Sequence, residues 1–285
     1  MTERVVAVVP LRDGASGKSR LANVLDPAAR SRLIGVLARH VVQVLLEVEQ
    51  VDQVVVVTGD PRFAWRALHD LVVEPAAGSA GSRDGAGAGQ GDDGRDVLPT
   101  LTARADRLRI VLQPADRPGL NTALDVAREL VADDGGVRLL VAHADLPALS
   151  PADVVAVLAE DAPVVVATDR HRSGTNLLAL EPPLSSPSST TLLPSPPGER
   201  QQGRVRQGVF QFRFGVGSLG AHLREAERLS VRAVVVHQPG TATDLDTLED
   251  WDELPADVRR RMTSAVPSLP TDSPQGSPAP DGSTL

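Results

Sequence analysis

The stretch VVAVVPLRDGASGKSRL, Val5 to Leu21, decides how this chain is read. Its opening VVAVV is short and uniformly apolar, as in a strand covered on both faces. The Gly17-Lys18-Ser19 that follows looks like the end of a phosphate-binding P-loop. That motif needs a glycine five positions before Gly17, so that a run of backbone N–H groups wraps the phosphates. Arg12 stands there instead, and Gly14 is too close to build the loop. What survives is a strand, a small-residue loop and two cations, Lys18 and Arg20. Such a loop still suits an anion, because cations and free amides meet in it. Its plainer reading is a solvated basic loop.

Outward from this stretch, Val-rich strands alternate with helical patterns. Asp26-Pro27 starts a helix, with Asp as N-cap and Pro in the first turn. Leu33, Val36, Leu37, His40, Val41 and Val44 continue it at helical spacing. Strands are expected at Gln53–Thr58, Leu108–Gln113, Val137–His143, Pro163–Thr168, Thr175–Leu180 and Arg232–Gln238. Further helices are expected from Pro61 through Leu68, at Asn121–Val131, from Ser150 to Leu158, at Gly217–Leu229 and at Thr247–Leu254. A turn, Asp169–Gly174, joins two of the strands. This alternation predicts an α/β three-layer sandwich around a mainly parallel sheet. Ligands of such sheets bind beyond the carboxyl ends of the strands.

The 285 residues exceed what this pattern fills. Ala76–Gly94 (AAGSAGSRDGAGAGQGDDG) and Pro182–Gln207 (PPLSSPSSTTLLPSPPGERQQGRVRQ) show no apolar periodicity, and the end of the chain is similar. Such segments cannot bury enough apolar surface to offset their ordering entropy. The expectation is one domain over 1–258, with flexible insertions at 76–100 and 182–207 and a disordered tail over 259–285. A net charge of −8 without a concentrated basic block argues against nucleic acid as a partner. The absence of cysteine excludes disulfides and thiolate metal sites. No apolar run approaches membrane-spanning length and no leader pattern precedes VVAVV, so a cytoplasmic protein without a membrane partner is expected.

The polar clusters fall at the expected edge. HADLP, His143 to Pro147, ends the strand VRLLVA and sets Asp145 there, unless Asp145 merely caps a turn before Pro147. In TATDLDTLED, Asp244 and Asp246 are two apart in an extended segment and point to one side. Like charges so placed repel unless a cation lies between them. Capping of a helix near Thr247 would account for Asp246 but not for both. Three acidic oxygen donors favour Mg²⁺ or Mn²⁺ over zinc. A divalent metal beside a cationic loop suggests phosphoryl or nucleotidyl transfer, with Lys18 and Arg20 neutralising a leaving pyrophosphate. Ser173 to Asn176 precede a strand, and Gly215, Gly217 and Ser218 open a helix whose N-terminus suits an anion. Ordinary turn and cap chemistry explains these equally well. Asn121, in GLNTAL, reads locally as a helix cap.

Taken in order, the loop ending Lys18-Ser19-Arg20-Leu21, then GLNTAL, HADLP, SGTN, FGVGS and DLDT, resemble one family. It is the guanylyltransferase family of deazaflavin coenzyme F-420 biosynthesis, which acts on phosphoenolpyruvate or 2-phospho-L-lactate. The likeness runs from Val5 to about Leu254, omitting the insertions. It implies a GT-A-like, Rossmann-type nucleotidyltransferase fold. It also implies transfer of GMP from GTP to the acid's phosphate, dependent on two Mg²⁺ ions, with Mn²⁺ as a substitute. By the same resemblance, Asp145, Asp244 and Asp246 match the metal-holding positions. Thr175, Gly215 and Ser218 match those contacting the phosphorylated three-carbon acid. Lys18 and Arg20 would lie on the triphosphate side, forming the catalytic set with Asp145, and Asn121 would lie near the nucleotide. No histidine needs a catalytic role, and His143 reads as a packed residue or one that supports the ligand-holding residues from behind. The Gly/Ala- and Arg-rich texture resembles actinobacterial chains and tilts the acceptor towards phosphoenolpyruvate. Sugar-phosphate and molybdopterin nucleotidyltransferases are rivals, but they open with a Leu-Ala-Gly-Gly type loop where this chain has Val-Pro-Leu-Arg-Asp-Gly. A non-catalytic nucleotide-binding scaffold is a further rival, and it would not need three acidic ligands.

Overall fold

The computed structural model describes residues 4–12, 17–72, 106–132, 137–185 and 208–271. The insertion expected at 76–100, most of that at 182–207, Gly14 and the chain beyond 271 lie outside the described residues. The strands are β1 (Arg4–Leu11), β2 (Val51–Thr58), β3 (Leu108–Leu112), β4 (Val137–Ala142), β5 (Val164–Thr168), β6 (Thr175–Leu180) and β7 (Ala233–Val236). They form one seven-stranded sheet in the order β3-β2-β1-β4-β6-β5-β7. β6 runs antiparallel to β4 and β5, and the other pairs are parallel. The α/β class and mainly parallel sheet expected from the alternation are therefore what the chain adopts.

The reversal of β6 has a local cause. Only the turn 169–174 separates it from β5, too short for the crossover that a parallel neighbour requires. The start of β6, not its end, consequently lies at the carboxyl edge of the parallel strands. There the His143 N–H donates to the Asn176 carbonyl at 3.1 Å.

The helices are α1 (Pro27–Glu47), α2 (Pro61–Leu68), α3 (Leu120–Ala132), α4 (Pro151–Leu158), α5 (Pro182–Ser185), α6 (Ser218–Arg228), α7 (Leu248–Glu253) and α8 (Ala256–Ala265). Their starts follow the expected chemistry. Asp26 accepts from Ala29 N at 2.7 Å and Asp60 from Phe63 N at 2.9 Å, while Ser150 and Asp153 form a capping box. Strand side chains alternate between two cores. Val5, Ala7, Val9 and Leu11 join one with α1, α2 and α4, whereas Val6 and Val8 join the other with α3 and α6.

Two segments expected to lack structure are folded. Pro182–Ser185 forms α5, and its Leu184 is buried in the second core. The expected tail contains α8, and Val258, Met262, Val266 and Leu269 are buried with Leu21, Leu33, Leu245 and Trp251 in a third cluster. The apolar stripe of α8 is narrow and is interrupted by Arg259, Arg260 and Arg261, which hides the helix from a reading of hydrophobic runs.

His222, fully buried in α6, ties three edge segments together. Its Nε2 accepts from the Arg213 N–H at 3.1 Å, so Nδ1 carries the proton and faces Thr175 Oγ1 at 2.9 Å. Burial, assisted by the nearby His143, lowers its pKa from 6.5 to about 4. The folded state thus binds fewer protons here than the unfolded chain between these two values. Stability from this residue is full above pH 6.5 and is lost as the pH falls towards 4, by about 3 kcal/mol in all. The His222 ring resonance is expected to titrate near pH 4 in an NMR series. A midpoint near 6.5 in the folded protein would contradict the neutral clamp.

Candidate active site

Beyond β1, Lys18 takes left-handed backbone angles (φ 56°, ψ 38°) before the 3₁₀ turn Ser19–Leu21. A residue with a Cβ adopts this conformation at a cost of about 1 kcal/mol or more, and such positions concentrate at functional sites. Here the burial of Leu21 anchors the turn. Lys18 Nζ then lies 2.6 Å from Asp145 Oδ2 and 2.7 Å from Asp246 Oδ1. Its side chain is only 7% exposed. Burial alone would lower the Lys18 pKa, but the two carboxylates outweigh it and raise it. Burial likewise pushes the Asp145 carboxyl up, and Lys18 and His143 bring it below its usual value. Asp244 has the opposite fate: burial, together with the negative charges of Asp145 and Asp246, raises it.

The aspartate pair of DLD is set by the residue between them. Leu245 is fully buried in the third cluster, and its N–H donates to the Asp145 carbonyl at 3.0 Å. With Leu245 turned inward, Asp244 and Asp246 face the β4 end, as their spacing predicts. Asp246 does not cap the following helix. Thr247 does, in a capping box with Asp250, and Asp250 Oδ2 also accepts the Asp246 N–H at 3.0 Å. Arg170 pairs with the other Asp250 oxygen at 2.8 Å. Upstream, the turn Pro239–Thr241 approaches α4 so closely that a Cβ on Gly240 would lie 2.2 Å from Asp153 Oδ2 and 2.6 Å from the Ala148 carbonyl. Only glycine fits there. Asn176 donates to the Thr241 carbonyl at 2.8 Å and completes the support.

The remaining expected residues are spread around this centre. Arg20 is exposed on its 3₁₀ turn. Thr175 is buried, with its hydroxyl on His222. Ser218 is buried in the first turn of α6, where its N–H donates to the Gly215 carbonyl at 3.1 Å. Gly215 (φ 133°) and Gly217 (φ 71°) have open space around them and flank a fully exposed Val216. Asn121 is no helix cap. It lies inside α3, and its amide grips the Phe214 backbone, Oδ1 accepting from Phe214 N at 2.8 Å and Nδ2 donating to Phe214 O at 3.2 Å.

Sequence reasoning missed the segment around Phe210, Phe212 and Phe214. All three rings are buried, and Phe214 packs against His143 (5.1 Å between centroids) and His222 (4.7 Å). Arg128 lies over Phe212 at 4.8 Å and donates to the Phe210 carbonyl. The alternating FQFRF carried the signal, next to a segment read as structureless.

Among the described residues, no three His, Asp or Glu side chains converge as a ready metal-binding group. Lys18 stands between Asp145 and Asp246 instead. The donor set nevertheless fits a hard divalent cation. All three donors are carboxylates, Asp145 Oδ1 is buried without a hydrogen-bond partner among the described residues, and added positive charge would relieve Asp244. Among the described residues, no helix is long and apolar enough to cross a membrane.

No family model matches the chain. Phosphoenolpyruvate guanylyltransferase of Rubrobacter xylanophilus is 34% identical over 257 residues, which cover 88% of this chain and 94% of that protein. The protein of the same name from Chloroflexus aurantiacus is 29% identical over 242 residues, covering 84% and 88%. The crystal structure of a protein assigned as a nucleotide-diphospho-sugar transferase, from Desulfovibrio desulfuricans, superposes with a TM-score of 0.54. It covers 92% of this chain and 96% of its own at 12% identity, which speaks to the fold alone.

The Lys18 cluster has a testable balance. Lys18→Met strands Asp145 and Asp246 together and is expected to destabilise the protein by about 2 kcal/mol. Adding Asp145→Asn should recover at least half of that loss in urea unfolding, because the repulsion goes with it. Strictly additive losses would mean that Lys18 holds the fold by packing rather than by charge.

Proposed function

The chain belongs to the phosphoenolpyruvate guanylyltransferase family, and from that membership we propose that it transfers GMP from GTP to the phosphate of phosphoenolpyruvate. An oxygen of the acid's phosphate attacks the α-phosphorus in line. The bond from the α-phosphorus to the bridging oxygen breaks, and pyrophosphate leaves with that oxygen. The nucleophile is already anionic at neutral pH, so no side chain has to remove a proton.

The observation that carries this reading is the meeting of Lys18, Asp145 and Asp246 at the carboxyl edge, with Asp244 beside them. A transfer between two polyanions needs positive charge fixed where negative charge gathers. Lys18 supplies one such charge, kept protonated by its carboxylate partners. Arg20, two residues on and exposed, is free to approach the β- and γ-phosphates. Asp145, Asp244 and Asp246 would hold Mg²⁺, or Mn²⁺ in its place. That metal, when bound, supplies charge neutralisation between the triphosphate and the entering phosphate. Gly215, Ser218 and the start of β6 at Thr175 would line the acid's side, by backbone groups where the side chains are already engaged. Asn121 serves the site by holding the Phe214 backbone in front of that loop.

Purified protein with GTP and Mg²⁺ is expected to release pyrophosphate when phosphoenolpyruvate is added, and to stop on addition of a chelator. 2-Phospho-L-lactate in a parallel reaction tests the acceptor. Asp244→Asn should lower kcat by about two to three orders of magnitude while the protein stays folded. Near-normal turnover in that variant would sink the assignment of the aspartates.

A further inference from the structure

We propose that His143 is a binding residue for the phosphorylated acid, donating a hydrogen bond from Nε2 to one of its oxygens. This rests on the reaction proposed above. His143 is the first residue beyond β4, and its backbone is held by the hydrogen bond to the Asn176 carbonyl at 3.1 Å. The ring packs against Phe214, with 5.1 Å between centroids and 40° between planes. Phe214 is itself fixed, edge-on by the His222 ring at 4.7 Å and along its backbone by the Asn121 amide. The imidazole is therefore oriented before any ligand arrives.

Oriented so, it leaves one atom without employment. Nε2 is buried and has no hydrogen-bond partner among the described residues. Leaving a buried polar atom unsatisfied is unfavourable, and folded chains retain few of them. The second such atom at this strand end is Asp145 Oδ1, two residues on. Both lie just beyond the carboxyl end of β4. Asp145 Oδ1 suits a cation, whereas an Nε2–H suits an anionic oxygen.

The topology selects which substrate supplies that oxygen. β4 lies between β1 and β6 in the sheet. Lys18, in the loop that follows β1, stands with Arg20 on the triphosphate side under the proposed reaction. The His143 ring packs on Phe214, whose chain leads into the loop that opens α6. In-line displacement puts the entering group opposite the leaving group. A donor on the α6 side of Asp145 therefore meets the acid rather than the triphosphate.

The test compares His143→Phe, which keeps the ring packing and loses the donor, with His143→Gln, whose amide N–H reaches about the same place. Initial rates are measured with GTP and phosphoenolpyruvate varied in turn, alongside thermal melting. For His143→Phe, KM for phosphoenolpyruvate should rise about tenfold or more, with KM for GTP unchanged and melting no lower than in the wild type. His143→Gln should restore most of the acid affinity. An unchanged KM for phosphoenolpyruvate in His143→Phe, or equal rises in both KM values, would overturn the assignment while leaving the reaction intact. A wild-type protein that releases no pyrophosphate with either acid overturns the reaction first, and this role with it.

Discussion

The site is organised by one ammonium group. Lys18 Nζ joins Asp145, 127 residues away along the chain, to Asp246, 228 residues away. Asp145, Asp244 and Asp246 share a half-buried edge where their mutual repulsion is poorly screened, and an embedded cation makes the gathering tolerable. Other features serve that meeting. The left-handed backbone at Lys18, the burial of Leu21 and Leu245, and the Leu245 hydrogen bond to the Asp145 carbonyl each bring one partner to it. The charges are matched in sign and the backbones are fixed by apolar anchors, so the polar centre is positioned by the core beneath it.

The sheet decides which loops can reach this centre. Parallel strands deliver their carboxyl ends to one edge, which accounts for the loops after β1 and β4. β6 delivers its beginning to the same edge because it alone is reversed. The short turn after β5 thus places Thr175 and Asn176 beside His143, where one anchors α6 through His222 and the other holds the turn leading to the DLD segment. The side opposite Lys18 is assembled from pieces that a purely parallel sheet would not bring there.

Much of this was legible in the residues. Asp26-Pro27, Asp60-Pro61 and Ser150-Pro151 declared their helices because a cap and a proline are local chemistry. Asp244 and Asp246 declared a shared direction because strand periodicity is two. What escaped was non-local. Nothing near Asn121 reveals that its amide grips Phe214, 93 residues on. Asp246 could equally have been the helix cap, and only the competition with Thr247 and Asp250 settles it. Helix α8 was hidden because its few apolar residues matter only against α1 and Trp251, partners that lie far away in sequence. The Lys18 bridge was also not foreseeable, since spacing suggested a cation among the aspartates without saying that the chain carries its own.

The third apolar cluster bears on how the protein is made. It joins the start of α1 to residues 245–269, so the two ends of the described chain form one unit. A nascent chain emerging from its N-terminus can pair β1 with β2 and cover them with α1 early in synthesis. It must then wait, with Leu21, Leu25, Leu33 and Leu37 uncovered, until the last tenth or so of the described sequence appears. The Asp244–Asp246 carboxylates arrive with that same closing segment. Cover for the exposed apolar surface and the second carboxylate partner of Lys18 thereby arrive in a single late step, and a chain cut short would be adhesive and would leave the charged cluster incomplete.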